Sequence, residues 1–298
     1  MAYLLQLLIN ALPLASLYAC LAFGYALAFG MTRRADITFG ALFAFAGQIC
    51  LLVTDFGWSE LYLVLPAALA LGVLGGGAYG VFAGWTVARH VMAPLHPRSP
   101  NAVIVAGLAV VILLSETARL ALDTRSLWLP PLWNAAIALV TIDGERVSLT
   151  GMQISIVLMQ TAMLSVGQVL LVFTRAGRVW KAVSQDALAA RLSGVDADRV
   201  FVATLVIAAA IASFAGLSAT YLYGTMDFGS GLMFGLKVVL IAAAGGHSRP
   251  LHSAAGAAAM GVAETLWSGY GPMIWRDAVI ISALVMILVF SRREQIIP

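Results

Sequence analysis

The sequence predicts an all-α fold: a polytopic transmembrane helical bundle of about eight to ten spans, forming a single transmembrane domain over residues 1–298. Three observations carry that prediction. Hydrophobic residues make up 61% of the chain and charged residues only 10%, against about 25% charge in a soluble domain, and mean hydropathy is +0.95. Apolar stretches near the length of a membrane-crossing helix recur along the chain, which is too long for barrel strands. The basic residues collect in the intervals between those stretches, as the positive-inside rule requires. A net charge of +3 gives no footing for nucleic acid. Cys20 and Cys50 both fall in apolar segments, so neither a disulfide framework nor metal-ligand spacing is present, and no metal or cofactor is expected in this chain.

The first span is expected over Tyr3–Gly30, with Pro13 inside it. The first arginine is Arg33, so there is no basic segment ahead of the apolar run, no cleavable signal is expected, and this span stays in the mature protein. A second, shorter span covers Ile37–Val53, and Thr54–Glu60 reads as a loop anchored by Trp58. The third runs over Leu61–Val87. Its Gly72, Gly76, Gly80 and Gly84 are four apart, which puts four glycines on one face and lets another helix approach closely. Arg89–Pro100 is polar and reads as a loop holding His90 and His96. The fourth span, Asn101–Leu122, ends with Glu116 and Arg119, three apart and able to pair on one face. The stretch Asp123–Gly151 carries Trp128, Trp133 and the string DGERVSLTG, which reads as a small hairpin capping the outer face.

Met152–Thr174 is the fifth span and Val200–Tyr223 the sixth. Between them lies Arg175–Val200, the longest polar interval with a helical pattern. Ala187–Leu192 has high helix propensity, Asp186 is placed to cap its start, Gly194 to end it in the left-handed conformation, and Asp196 to cap the next helix. A short exposed helix hung between two spans is the expectation. Three shorter spans follow: Leu232–Ala244, Ser253–Ser268 and Ala278–Phe290. The second and the seventh are short enough to be broken or re-entrant. The glycine-rich stretch Gly224–Gly235 lacks the Gly-Lys-Ser/Thr ending of a phosphate loop, and no Gly-Lys pair occurs anywhere. No phosphate-loop site is therefore expected in this chain.

The interval holds Gly177, Arg178, Ala182, Asp186, Ala189, Ala190, Arg191, Leu192, Gly194, Val195, Asp198, Arg199 and Val200. In that spacing it resembles the signature loop of permeases in ABC importers of the branched-chain amino acid family. ASLYACLAFGYALAFG in the first span and LKVVLIAAAGG…GAAAMGVAETL near the C-terminus resemble the same family, with Lys237 and Glu264 at matching places. The start of the second span, ITFGALFAFAG, occupies the place of the family's Asn-Phe-Ala-His-Gly-Glu segment. Phe39 and Gly40 match it, and the His and the acidic residue are absent.

The resemblance implies an assembly of two permeases, here this chain and a homologous second subunit, with two ATP-binding cassette subunits and an extracytoplasmic solute-binding protein. It implies leucine, isoleucine, valine or related small amino acids and amides as substrates, moved inward by alternating access. It also implies that Asp186, Ala189, Ala190, Arg191, Leu192 and Gly194 contact the ATPase.

With that interval cytoplasmic, twelve of the seventeen Lys and Arg residues fall inside, four fall outside, and Lys237 lies within a span. The N-terminus is then outside and the C-terminus inside, in the plasma (inner) membrane. Asp36-Ile-Thr-Phe39-Gly40 after one span echoes Asp227-Phe228-Gly229 after another, facing the opposite way, as in an inverted repeat around a transport path. Tyr18, Tyr25, Thr38, Phe39, Phe228 and Met233 are the pathway candidates on that ground. Packing aromatics are the competing explanation for them. Lys237 and Glu264 are charges inside spans, and charges there find partners. Their depths below the outer end differ by about 1.5 Å, so they are expected to form a structural ion pair rather than a proton relay, with Lys237 snorkelling alone to the outer interface as the competing reading. The other readings are a stand-alone secondary transporter, which would leave the polar interval without a task, and an intramembrane enzyme. His247 and His252 lie in a loop, and no nucleophile–base constellation sits in a span, so no catalytic residue is expected.

Overall fold

The computed structural model describes residues 2–96, 100–142, 145–245 and 249–291. Arg98, His247, Arg292 and Arg293, which enter the readings above, lie outside them, as does the tip of the hairpin. In chain order the elements are α1 (Ala2–Thr32), α2 (Thr38–Ser59) and α3 (Leu65–Leu95). Then come α4 (Pro100–Ala121), β1 (Ala136–Ile142), β2 (Glu145–Thr150), α5 (Gly151–Phe173), α6 (Arg175–Gln185) and α7 (Ala187–Leu192). The chain closes with α8 (Ala197–Tyr223), α9 (Ser230–Gly245), α10 (Pro250–Tyr270) and α11 (Arg276–Ser291). Among the described residues, six helices are long and apolar enough to cross a membrane: α1, α2, α3, α4, α5 and α8. The helices α9 and α11 are shorter, and α10 is rich in alanine and glycine.

The bundle is built around α1, α2 and α8, whose apolar stretches are mostly buried, with α3, α4 and α5 around them. Small residues set the spacing. A Cβ on Gly76 would lie 2.6 Å from the Ala46 carbonyl, and the same glycine face lets Gly80 and Gly84 meet Ser213 and Ala209 of α8. In turn Gly216 of α8 touches the Phe43 backbone of α2, and Gly40 of α2 meets Gly231 and Gly235 of α9. Backbones in such contact gain dispersion that larger side chains would prevent. From Gln48 donating to the Asp227 carbonyl (3.3 Å) to Gly235 against Ile37, α9 runs antiparallel along the first half of α2.

Several boundaries differ from the sequence expectation, each for a physical reason. Helix α2 is continuous to Ser59, so it is neither broken nor short. Its Thr54 is buried against Gly72 rather than solvated in a loop. Helix α3 continues through Val87–Met92 as a π-helical turn, so Arg89–Leu95 is helix and not loop. His96 at its end stacks on Phe201, ring centroids 4.9 Å apart, instead of standing in water. Burial there lowers the His96 pKa, and the positive charge of Arg34 adds to the effect. The hairpin forms as expected, Ala136 opposite Thr150, with an irregularity between Ala138 and Val140. Glu116 and Arg119 pair at 2.6 Å on an exposed face. His252 stands in the first turn of α10 rather than in a loop.

Candidate coupling surface and interior site

The polar interval folds as two helices at a sharp corner. Thr174 caps α6 by accepting from Gly177 N (3.3 Å), and Asp186 ends α6 and starts α7. Asp186 Oδ1 accepts from Leu188 N (2.9 Å) and Ala189 N (3.0 Å), which satisfies two of the free amides of that helix start. Past the other end, Gly194 N donates to the Arg191 carbonyl and Val195 N to the Ala190 carbonyl, both at 3.0 Å. This is a Schellman closure, and Gly194 supplies its left-handed residue at φ +84°. Asp196 then caps α8 through Arg199 N (3.1 Å) and pairs with the Arg199 side chain at 2.8 Å. Arg191 pairs with Asp198 at 2.6 Å. Ala190 is buried as the foot of α7, while Asp186, Ala189, Arg191, Leu192 and Gly194 are exposed. Leu188 and Leu192, four apart on one face, are 69% and 84% exposed.

This corner is tied to α1. Arg33 donates to the Ser184 (2.6 Å) and Gln185 (3.2 Å) carbonyls, capping the C-terminal end of α6 with a cation where the helix dipole is negative. The Trp180 indole donates to the Leu27 carbonyl (3.3 Å), and its ring covers Gly30, where a Cβ would lie only 2.7 Å away. Helix α6, which leads directly into α7, is therefore tied to α1 at two points. Sequence reasoning found α7 and its caps but not α6 or this brace. The available signal was the helical spacing of Arg175, Arg178 and Lys181 against Val179 and Val183.

The interior residues fall into two groups. Lys237 Nζ donates to Glu264 Oε1 (2.8 Å), Asp277 Oδ1 (2.9 Å) and Tyr18 Oη (3.2 Å), which uses all three ammonium donors. The Tyr18 hydroxyl donates to Glu264 Oε2 (2.7 Å), and Arg276 Nε stands 3.5 Å from Glu264 Oε1. Two cations and two carboxylates thus meet at the junction of α1, α9, α10 and α11, with no net charge. The contributions of Tyr18, Asp277 and Arg276 were not foreseen. The Arg276–Asp277 dipeptide at the head of the last span was the signal.

Tyr25 and Phe39 pack edge to face with centroids 6.4 Å apart, and both are buried, as is Thr38. Asp36 Oδ1 accepts from Thr38 N (2.9 Å) and from the Thr38 hydroxyl. Burial of this linker carboxyl pushes its pKa up to about 6, offset in part by the Thr38 amide. Asp227 Oδ2 accepts from Gly229 N (3.0 Å), the same two-residue turn ahead of α9. Phe228 is half-buried and Met233 is 40% exposed. Tyr18 sits in the charge cluster with Lys237 and Glu264.

A profile of the family described as branched-chain amino acid transport system / permease component matches residues 7–290. The chain belongs to this family. It is a transport permease, the transmembrane subunit of an ABC importer, and a multi-pass inner-membrane protein. The permease is 26% identical over 290 residues to the high-affinity branched-chain amino acid transport system permease protein LivH of Salmonella typhimurium, covering 96% of this chain and 93% of that one. It is 26% identical over 294 residues to LivH of Escherichia coli K12, with the same coverage. It is 24% identical over 291 residues to the corresponding protein BraD of Pseudomonas aeruginosa. Among solved structures, PsaBC from Streptococcus pneumoniae in complex with Fab matches 95% of this chain and 89% of its own at 14% identity, with a TM-score of 0.46.

Proposed function

We propose that this permease moves a branched-chain amino acid, or a related small amino acid or amide, inward by alternating access, driven by ATP hydrolysis in separate subunits. The assembly pairs it with a homologous second permease, two ATP-binding cassette subunits and an extracytoplasmic solute-binding protein. The chain supplies no catalytic residue and no cofactor. Its N-terminus is outside and its C-terminus cytoplasmic, a reading supported by the bias of Lys and Arg toward the side of α6 and α7.

The observation that carries the reading is α7. Two large apolar side chains, Leu188 and Leu192, stand exposed on a helix capped at both ends and braced to the bundle core. An exposed apolar pair on a rigid support is what a protein partner requires. Asp186, Ala189, Ala190, Arg191, Leu192 and Gly194 hold that helix in shape and present it. Movement imposed there passes through Trp180 and Arg33 into α1 and so to the interior. Phe228 in the turn ahead of α9, Met233 in the first turn of α9, and the buried Tyr25, Thr38 and Phe39 form the substrate path. Tyr18 belongs with Lys237 and Glu264, a structural clamp between helices.

The test uses the cysteine chemistry of the chain. Cys20 and Cys50 are buried and free, so a thiol introduced by Leu192→Cys is the accessible one. Coexpressed with the ATPase subunit, this variant is expected to crosslink to it, and an Ile137→Cys variant on the hairpin is not. Crosslinking from both positions, or from neither, would overturn the assignment.

A further inference from the structure

An apolar groove opens on the flank between α1, α5 and α8. It encloses about 290 Å³ and has Phe23, Leu27, Leu170, Ala203 and Ile207 among its walls. The two hydroxyls that face it are already engaged: Thr174 donates to the Leu170 carbonyl (2.6 Å) and Thr204 to the Val200 carbonyl (2.8 Å). The groove therefore offers no polar partner to an occupant. Along α8 it extends from Val200 to Ile211, about 16 Å at the helical rise. That is half of a hydrocarbon core of about 30 Å, the depth of one leaflet.

The groove ends beneath α6. Leu171, Gly177 and Trp180 line both the groove and a cleft above it, which carries Arg178, Lys181 and Arg249 and no carboxylate among its described lining residues. These three cations enter none of the ion pairs among the described residues. Trp180, fixed by the Leu27 carbonyl, marks the boundary, the depth at which tryptophan sits in a bilayer.

We propose that this flank binds an anionic phospholipid, with one acyl chain in the groove and its phosphate on Arg178, Lys181 and Arg249. A groove of one-leaflet length, apolar along its walls and closed by uncompensated positive charge, matches both halves of such a molecule. The lipid bears on Trp180 and α6, the brace of the coupling corner, and so holds that corner in register. The proposal stands independently of the transported substrate.

The test is native mass spectrometry of the full-length permease extracted from nanodiscs of phosphatidylcholine containing a minor fraction of phosphatidylglycerol. The wild type is expected to retain phosphatidylglycerol well above its bulk share. Arg178→Gln, Lys181→Gln and Arg249→Gln should each lower that preference about fivefold, and together about 100-fold. Ala203→Phe, which fills the groove from its lipid-exposed side, should reduce retained lipid while the charges stay. Unfolding of each variant in pure phosphatidylcholine discs controls for misfolding, and where the triple variant does not fold, the single Arg249→Gln variant carries the test.

Retention in proportion to bulk composition overturns the proposal, as does an undiminished preference in the charge variants or unchanged retention in Ala203→Phe. Equal stabilisation of the wild type by inorganic phosphate overturns it in favour of a free-anion site. Lost ATPase-subunit binding in the charge variants, without a lipid preference in the wild type, overturns it in favour of a protein-docking surface.

Discussion

The charge cluster at Lys237 gives a prediction whose size follows from its geometry. Lys237→Met leaves Glu264, with a side chain only 4% exposed, facing Arg276 at 3.5 Å and the Tyr18 hydroxyl, so its charge is partly compensated. Asp277 is 38% exposed and returns to water. Breaking a buried pair costs about 3–5 kcal/mol. The remaining partners place Lys237→Met at the lower end, about 3 kcal/mol. Glu264→Gln leaves Lys237 with Asp277 at 2.9 Å and should cost about 2 kcal/mol. The double variant keeps the neutral pair Arg276–Asp277 and buries no orphaned charge. It should therefore cost about 3 kcal/mol rather than the sum of about 5, a coupling of about 2 kcal/mol. Unfolding of the detergent-solubilised protein measures all three. A proton relay would lose transport in either single variant at unchanged stability, whereas a clamp loses both together. Single changes that add within about 0.5 kcal/mol would refute the clamp.

Gly194→Val should cost about 1–2 kcal/mol through the left-handed backbone alone, because nothing lies within 4 Å of the added Cβ. ATP-coupled uptake should fall more than stability does, and unimpaired uptake by a stable Gly194→Val protein would refute the coupling role. Neighbouring glycines of α3 should respond oppositely: Gly76→Ala meets the Ala46 carbonyl at 2.6 Å and destabilises, while Gly77→Ala has its nearest neighbour at 3.7 Å and gains up to about 1 kcal/mol of helix propensity. Thermal unfolding of the two variants checks the sign. Asp36 has a pKa raised from 3.8 to about 6 by burial, so between those values the folded state binds the extra proton. Stability conferred by that proton is lost as pH rises from about 4 to about 6, at most about 3 kcal/mol. Asp36→Asn should flatten that part of the stability–pH profile, and an unchanged slope would contradict the assignment.

Local features of this fold were legible in the sequence because local chemistry fixes them. Asp186, Gly194 and Asp196 cap and stop helices through backbone contacts two or three residues away, and each does so in the structure. The four-residue glycine spacing in α3 likewise announces a close helix contact. Polar residues inside the bundle were the weak point, because hydropathy reads every polar group as a solvent contact. Thr54 reads as a loop residue by hydropathy and is buried against Gly72, and His96 stacks on Phe201. The charge cluster shows the same limit. Lys237 and Glu264 could be matched by depth along antiparallel helices. Tyr18, 219 residues from Lys237, and Asp277, 40 residues from it, join through tertiary packing that no sequence period encodes. Trp180 and Arg33, which lock α6 to α1, are likewise long-range contacts.

In the proposed cycle α7 receives the work of a separate ATPase and the bundle turns it into inward transport. The most direct measurement is uptake of a radiolabelled branched-chain amino acid into proteoliposomes. Vesicles contain this permease with its second permease and the solute-binding protein, with and without the ATPase subunits and internal ATP. Concentrative uptake is expected only when ATPase and ATP are both present, and is expected to be lost in Gly194→Val while the subunits still assemble. Concentrative uptake by the permease alone, driven by an ion gradient, would contradict it.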